Sequence, residues 1–314
     1  MTLVLVGPTA VGKSRLAVTV AQRLAAAGSP AEVVNADSML VYRGMDIGTA
    51  KPTAAERQDI RHHMIDIMDV RETATVADFQ QRARAVIADC QARGVRPIVV
   101  GGSALYIRAI LDDFRFPGTD PVLRARLEAE LAALGPQRLH QRLAGLDPAA
   151  AGQIVPENGR RIVRALEVVT MTGQPYHASL PPRRYALPGV IQVGLDIDRP
   201  ALDARIADRV NQMWQAGLVA EVRHLAATGL GDGLTASRAL GYRQVLAFLA
   251  GEISKDEARE STITATRRFA RRQDSWFRKD PRIVWLPFDA PDLVDRVVGQ
   301  AGSPVRVLEV EMPD

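Results

Sequence analysis

LVGPTAVGKSRL, residues 5–16, decides the fold. Within it GPTAVGKS, residues 7–14, is a complete G-x-x-x-x-G-K-[ST] match. The apolar run TLVLV precedes it, and Leu16, Val20 and Leu24 follow at helical spacing. A strand, a glycine turn and a helix start make backbone N–H groups converge on a phosphate, with the positive end of the helix behind them. Gly7, Pro8, Thr9, Ala10, Val11, Gly12, Lys13 and Ser14 are therefore read as phosphate-binding. Lys13 is expected to bridge phosphate oxygens, and Ser14 to offer its hydroxyl to Mg2+. The turn does not name the reaction. Its phosphate can be hydrolysed, transferred or discarded as a leaving group.

Outward from the turn, EVVNAD (32–37), HHMIDIMDV (62–70, the weakest), RPIVVGG (96–102), VIQVGLDI (190–197) and RIVWLP (282–287) read as further strands. Helical patterns lie between them, one capped by Thr75 and closed by Gly94. Apolar strands alternating with helices predict an α/β protein, a P-loop doubly wound parallel sheet. FRFPGTDP breaks the pattern after Asp113, and the text to about residue 180 is helical and rich in Arg, Ala and Leu. Expected units are a P-loop core of residues 1–113 and 190–290, a helical insertion at 114–189, and a C-terminal tail at 291–314.

The chain has 314 residues, 47% of them apolar, enough for a large core. Forty basic residues against 36 acidic give a formal charge of only +4, so the placement of the basic residues matters more than their number. The single cysteine, Cys90, excludes a disulfide framework and a multi-cysteine zinc site, and is read as a buried thiol. MTLVLVGPTA lacks a basic leader, and no stretch approaches the roughly 20 apolar residues of a membrane span. The expectation is a soluble cytoplasmic protein, a monomer without membrane contact.

P-loop ATPases carry a second apolar strand ending in Asp, which holds the metal. Here PIVV ends in Gly101-Gly102-Ser103, and the strand that ends in a carboxylate is VVNAD. In a doubly wound sheet, ligands bind at the carboxyl ends of the strands. That places Asp37 to act on an acceptor group, unless it only caps the turn before SMLVYRGMD. His62 and His63 lack zinc-ligand spacing. Asp196 and Asp198 are read as a helix cap before Pro200 rather than a metal pair.

NADSMLVYRGMDIGTAKPT, beginning at Asn35, resembles the tRNA dimethylallyltransferases (tRNA isopentenyltransferases). So do, in order, DFQQRA, PIVVGGSALYIRAIL, RRIVRALEV, RIADRVNQMWQAGLVAEV, ALGYRQVLAFLAGE and TRRFARRQDSWFRKD, so that the likeness spans roughly residues 3–287. With one cysteine, it is to the bacterial type, without the zinc finger of some eukaryotic relatives. The resemblance implies that the cradle holds the pyrophosphate of dimethylallyl diphosphate as a leaving group. The acceptor would be N6 of the adenosine 3′ of the anticodon in tRNA. Asp37 matches the family's general base, and Thr9 and Arg209 match positions that stabilise the pyrophosphate. Arg108 is a further pyrophosphate candidate, weighed evenly against a surface helix residue.

On a helix, Arg267, Arg268, Arg271, Arg272, Arg278 and Lys279 fall within roughly 140°, with Phe269, Trp276 and Phe277 opposite. A basic stripe backed by an apolar one suits RNA phosphates, or is merely a solvated face. The resemblance adds Arg160, Arg161 and Arg164 as tRNA contacts. It also adds Arg124, Ser103, Asp37 with Ser38, Met39 and Leu40, and Arg238, Gly241, Tyr242 and Arg243. Three other functions stay open: a P-loop kinase of a small molecule or nucleotide, a prenyltransferase acting on free adenine nucleotides, and an RNA-binding module with a vestigial cradle.

Overall fold

A computed structural model describes residues 1–176 and 181–302. The elements run β1 (Thr2–Val6), α1 (Lys13–Ala26), β2 (Ala31–Asn35), α2 (Ala54–Arg57), β3 (His62–His63), α3 (Val76–Ala92), β4 (Arg96–Val100) and α4 (Ala104–Leu111). Then come α5 (Pro121–Leu146), α6 (Pro148–Gln153) and α7 (Gly159–Thr172). The chain closes with β5 (Val190–Asp196), α8 (Arg199–Gln215), α9 (Leu218–Ala227), α10 (Tyr242–Leu249), α11 (Lys255–Phe277), β6 (Ile283–Pro287) and α12 (Leu293–Gly302).

The six strands form one parallel sheet in the order β3-β2-β4-β1-β5-β6. Every residue of β1 is buried. Val4 and Val6 join a core with Phe79, Ile107 and Leu218, while Leu3 and Leu5 join another with Leu16, Leu24 and Val297. Covering on both faces is why the strands read as unbroken apolar runs rather than alternating ones. The expected strand at 62–70 is only two residues long. Met64 (φ 61°) and Asp66 (φ 57°) are left-handed and cannot continue a ladder, so the chain regains a single bridge at Met68, opposite Tyr42. Cys90 is fully buried, where burial and the neighbouring Glu32 push its thiol up to about 11. Glu32 is tied by Arg93 (3.0 and 2.7 Å) and His63 (2.6 Å).

The chain divides into two units: Met1–Asp112 with everything from Tyr185 onward, and Asp113–Arg184. The sheet unit resumes five residues before the expected 190. Ala186 N–H donates to Leu111 O (2.7 Å) and Gln192 donates to the Tyr185 hydroxyl (2.7 Å), binding the returning chain to α4 and β5. Asp112, wholly buried, accepts from Arg282 (2.6 and 3.2 Å) and Arg108 (2.9 Å) at this crossing. Much of the expected tail is also core. Val297 and Ala301 of α12 are buried, and Val297 joins the α1 cluster. Residues 303–314 lie outside the described residues.

In the smaller unit α5, kinked at Gly135 (φ 77°), packs its Leu127, Leu139 and Leu143 with Ile162 and Leu166 of α7. The fully buried Glu167 accepts from Thr119 (2.6 Å), Asp120 N–H (3.1 Å), Arg124 (2.5 Å) and Arg164 (2.7 Å). Burial pushes its carboxyl up, but these donors outweigh burial and hold it at about 2. Its stabilisation is complete above the ordinary value of 4.5 and fades as pH falls through about 2. Glu167→Gln is expected to lose about 3 kcal/mol at pH 7 in urea unfolding, and the two proteins should converge toward pH 2. A pH-independent offset would contradict an ionised Glu167.

Candidate active site

The turn between β1 and α1 needs glycine at both ends. Gly7 (φ 142°) and Gly12 (φ 108°) have backbone conformations that L side chains rarely adopt, and a Cβ on Gly7 would sit 3.2 Å from Leu195 O. Lys13 folds back over the turn, donating to Gly7 O (3.0 Å) and Pro8 O (2.7 Å). Arg205 of α8 braces it through Ala10 O (2.9 Å). Thr9 N–H donates to Gln273 Oε1 of α11 (2.8 Å). The Gln273 amide occupies the space that a Cβ on Gly102 would fill, and a Cβ on Gly101 would meet Ala36 at 2.8 Å. The two glycines after β4, where a metal-binding carboxylate was missing, thus admit Gln273 and the end of β2.

Asp37 follows β2 in an Asn-organised turn. Asn35 Oδ1 accepts from Asp37 N–H (2.8 Å), while Asn35 Nδ2 donates to Asp37 O and Met64 O (both 2.9 Å). Asp37 Oδ1 accepts from Met39 N–H (2.9 Å), so this carboxylate does cap the turn. It also lines an open cavity of about 530 Å3 together with Thr9, Lys13, Ser14, Arg209 and Gln273. The capping role and the cavity role are both observed. Desolvation, aided by nearby Arg209 and opposed by Asp37, lowers the Lys13 ammonium to about 7. Burial likewise lowers Arg209, with Asp37 opposing. Cations held at such cost are positioned for an anionic ligand.

The loop rich in motif residues is fixed from beneath. Glu221 of α9 accepts from the N–H groups of Asp46 (3.1 Å), Ile47 (2.7 Å) and Gly48 (3.2 Å). Lys51, its side chain 4% exposed, donates to Tyr42 O (2.8 Å), Asp46 (2.6 Å) and Asp66 (2.5 Å). Thr49, Ala50 and Pro52 then line the cavity, and Arg209 donates to Thr49 O (3.5 Å).

Comparison with known proteins places this arrangement. The profile of "IPP transferase" matches residues 40–280. The chain is 62% identical over 294 residues to the tRNA dimethylallyltransferase of Thermobifida fusca, covering 94% of this chain and 92% of that one. It is 61% identical to that of a Nocardioides strain, covering 93% of each. The chain belongs to the IPP transferase family. Among solved structures, the tRNA isopentenylpyrophosphate transferase of Bacillus halodurans superposes with TM-score 0.68 at 37% identity, over 95% of this chain and 96% of that one. A eukaryotic dimethylallyltransferase described as acting on tRNA gives TM-score 0.79 at 26% identity, over 96% and 77%.

Not every residue singled out in the sequence sits where an IPP transferase acting on RNA would use it. Tyr242 has no exposed surface; its hydroxyl donates to Glu221 (2.5 Å), and Gly241 beside it is buried, so these two support the loop from inside. Arg238 and Arg243 on either side are exposed. Arg108 is buried against Asp112 and does not line the cavity, so it is not a pyrophosphate ligand in this arrangement. Arg124 and Arg164 are held by Glu167, whereas Arg160 and Arg161 at the start of α7 are exposed. Leu40 lines the cavity; Ser38, Met39 and Ser103, the N-cap of α4, are partly exposed.

The basic face of α11 lies opposite its buried residues Ala258, Ile263, Ala270, Gln273 and Phe277. Arg268, Arg271, Arg272 and Lys279 are exposed, but Arg267 donates to Asp203 O (3.1 Å). Arg278 pairs with Asp196 and Asp274 and lies 3.8 Å over the Trp285 ring. Trp276 departs from its expected place in the apolar stripe and is 48% exposed. Asp198 caps α8 as expected, accepting from Ala201 N–H (3.0 Å).

Sequence reasoning missed Gln273, Asn35 and His62. Gln273 reads as one polar residue of a charged helix; only its distance from Thr9 in three dimensions reveals it. His62 lines the cavity, with Nδ1 on Ile60 O (2.8 Å) and Nε2 buried without a partner. No sequence pattern marks it, because the strand that carries it is two residues long and pairs His62 with Val33 only in the folded sheet. Gln273→Leu leaves Thr9 N–H unpaired. It is expected to weaken inorganic diphosphate binding about tenfold by calorimetry, and unchanged affinity would remove Gln273 from the cradle.

Proposed function

We propose that this chain transfers a dimethylallyl group from dimethylallyl diphosphate to N6 of the adenosine 3′ of the anticodon in tRNA, releasing diphosphate. Membership of the IPP transferase family supports prenyl transfer, and the names of the close relatives support tRNA as the acceptor. The observation that carries the reading is one cavity shared by a diphosphate cradle, two half-buried cations and a carboxylate.

In this reading the turn N–H groups, Thr9, Lys13 and Arg209 bind the diphosphate. Breaking the bond between the prenyl carbon and oxygen leaves negative charge on the diphosphate, and donors held in place around the cradle stabilise it. N6 forms the new bond to that carbon. Its lone pair is delocalised into the purine, and it becomes an effective nucleophile as Asp37 takes its proton. The cavity also suits Mg2+: the Ser14 side chain and the Asp208 carboxylate would give it oxygen donors, leaving Asp37 for the proton. Bound there, Mg2+ would supply further positive charge to the leaving group. The exposed Arg160, Arg161, Arg238, Arg243, Arg271 and Arg272 are the proposed phosphate contacts, which position an RNA without reading its sequence. The enzyme is proposed to be a cytoplasmic monomer; among the described residues no helix is long and apolar enough to cross a membrane.

A kinase reading fits less well, because Gly101, Gly102 and Gln273 stand where a metal-holding carboxylate would follow β4. Asp37→Ala is expected to slow single-turnover prenyl transfer about 10²- to 10⁴-fold while stem-loop affinity changes less than about threefold. Lost RNA binding with a normal chemical step would remove Asp37 as the base.

A further inference from the structure

The target adenosine has to leave the anticodon-loop stack to reach a carboxylate inside a cavity, and its neighbours then lose a stacking partner. Gln273 is 5% exposed, bonded to Thr9, and marks where the cavity meets α11. Trp276 lies three residues further, about 4.5 Å along the helix and roughly 60° around it. Its indole, one residue from the end of α11, is 48% exposed, a large apolar surface left open to water. The Lys279 ammonium lies 5.9 Å from its ring centroid, and the exposed Arg272 stands about 40° from it around the helix. The other tryptophans are committed elsewhere, Trp285 under Arg278 and Trp214 against the main core. An aromatic ring among cations is the arrangement that grips single-stranded nucleic acid, where rings stack on bases and cations meet phosphates.

We propose that Trp276 is a stacking platform for a nucleobase of the anticodon loop adjacent to the extruded adenosine. The inference rests on the tRNA reading above and adds a residue to it. The platform accepts any base, because every base has a π-face, so it contributes affinity and holds the loop open beside the cavity rather than choosing a sequence.

The test uses the full chain, an anticodon stem-loop, and two further stem-loops abasic on the 5′ or the 3′ side of the target. Trp276→Leu keeps apolar bulk but cannot stack, and Trp276→Phe can. Trp276→Leu is expected to bind the intact loop about tenfold or more weakly by fluorescence anisotropy, with Trp276→Phe within about threefold of wild type. Neither should alter the KM for dimethylallyl diphosphate. On one of the abasic loops wild type should weaken to the level of Trp276→Leu, and the substitution should cost nothing further. Equal affinity of wild type and Trp276→Leu for the intact loop overturns the platform. So does a loss that persists undiminished on both abasic loops, or that Phe fails to restore. If wild type binds no stem-loop, the tRNA reading itself fails and takes the platform with it; binding and turnover by wild type with an inert Trp276→Leu removes the platform alone.

Discussion

The placing of two half-buried cations, Lys13 and Arg209, in one cavity with Asp37 is the constraint on which the rest of the site depends. Partial removal from water disfavours the charged form of each, with repulsion from Arg209 adding to it at Lys13 and from Arg205 at Arg209. Such an arrangement needs rigid support. β1, β4 and β5 form the central strands of the sheet. Gln273 and Arg205 hold the cradle through Thr9 and Ala10, and Asn35 holds Asp37. Glu221 gathers three backbone N–H groups of the loop that closes one side. These contacts come from α8, α9, α11 and β2, elements far apart in sequence.

That distribution explains what was legible. The cradle and the strands at 2–6, 31–35, 96–100, 190–196 and 283–287 are local patterns of spacing and hydrophobicity, and they stand where the sequence put them, whereas the strand expected at 62–70 shrinks to two residues. Asp37 was legible because it closes an apolar strand beside the cradle. Gln273 and His62 were not, since their roles arise from tertiary approach: Gln273 enters where Gly102 leaves room, and His62 lies beside β2 on a strand too short to read.

The misplacements have a common physical cause. Tyr242, Arg108, Arg124 and Arg164 stand among motif residues, yet each answers a carboxylate within the fold: the half-buried Glu221, or the buried Asp112 and Glu167. A buried carboxylate must be paired, and the chain spends arginines and a tyrosine on that need. Helical periodicity put the basic face of α11 on the correct side. It could not foresee that Arg267 and Arg278 would turn to Asp203 and Asp196, nor that Trp276 would stay exposed at the boundary.

The central claim is that the cradle binds a leaving group which departs when the RNA amine attacks. The most direct measurement is mass spectrometry of an anticodon stem-loop incubated with the protein, Mg2+ and dimethylallyl diphosphate, with AMP as alternative acceptor and ATP as alternative donor. The account predicts one added five-carbon unit on the adenosine 3′ of the anticodon, with diphosphate released and AMP unchanged. Prenylated AMP, or an unmodified loop with phosphate lost from ATP, would contradict it.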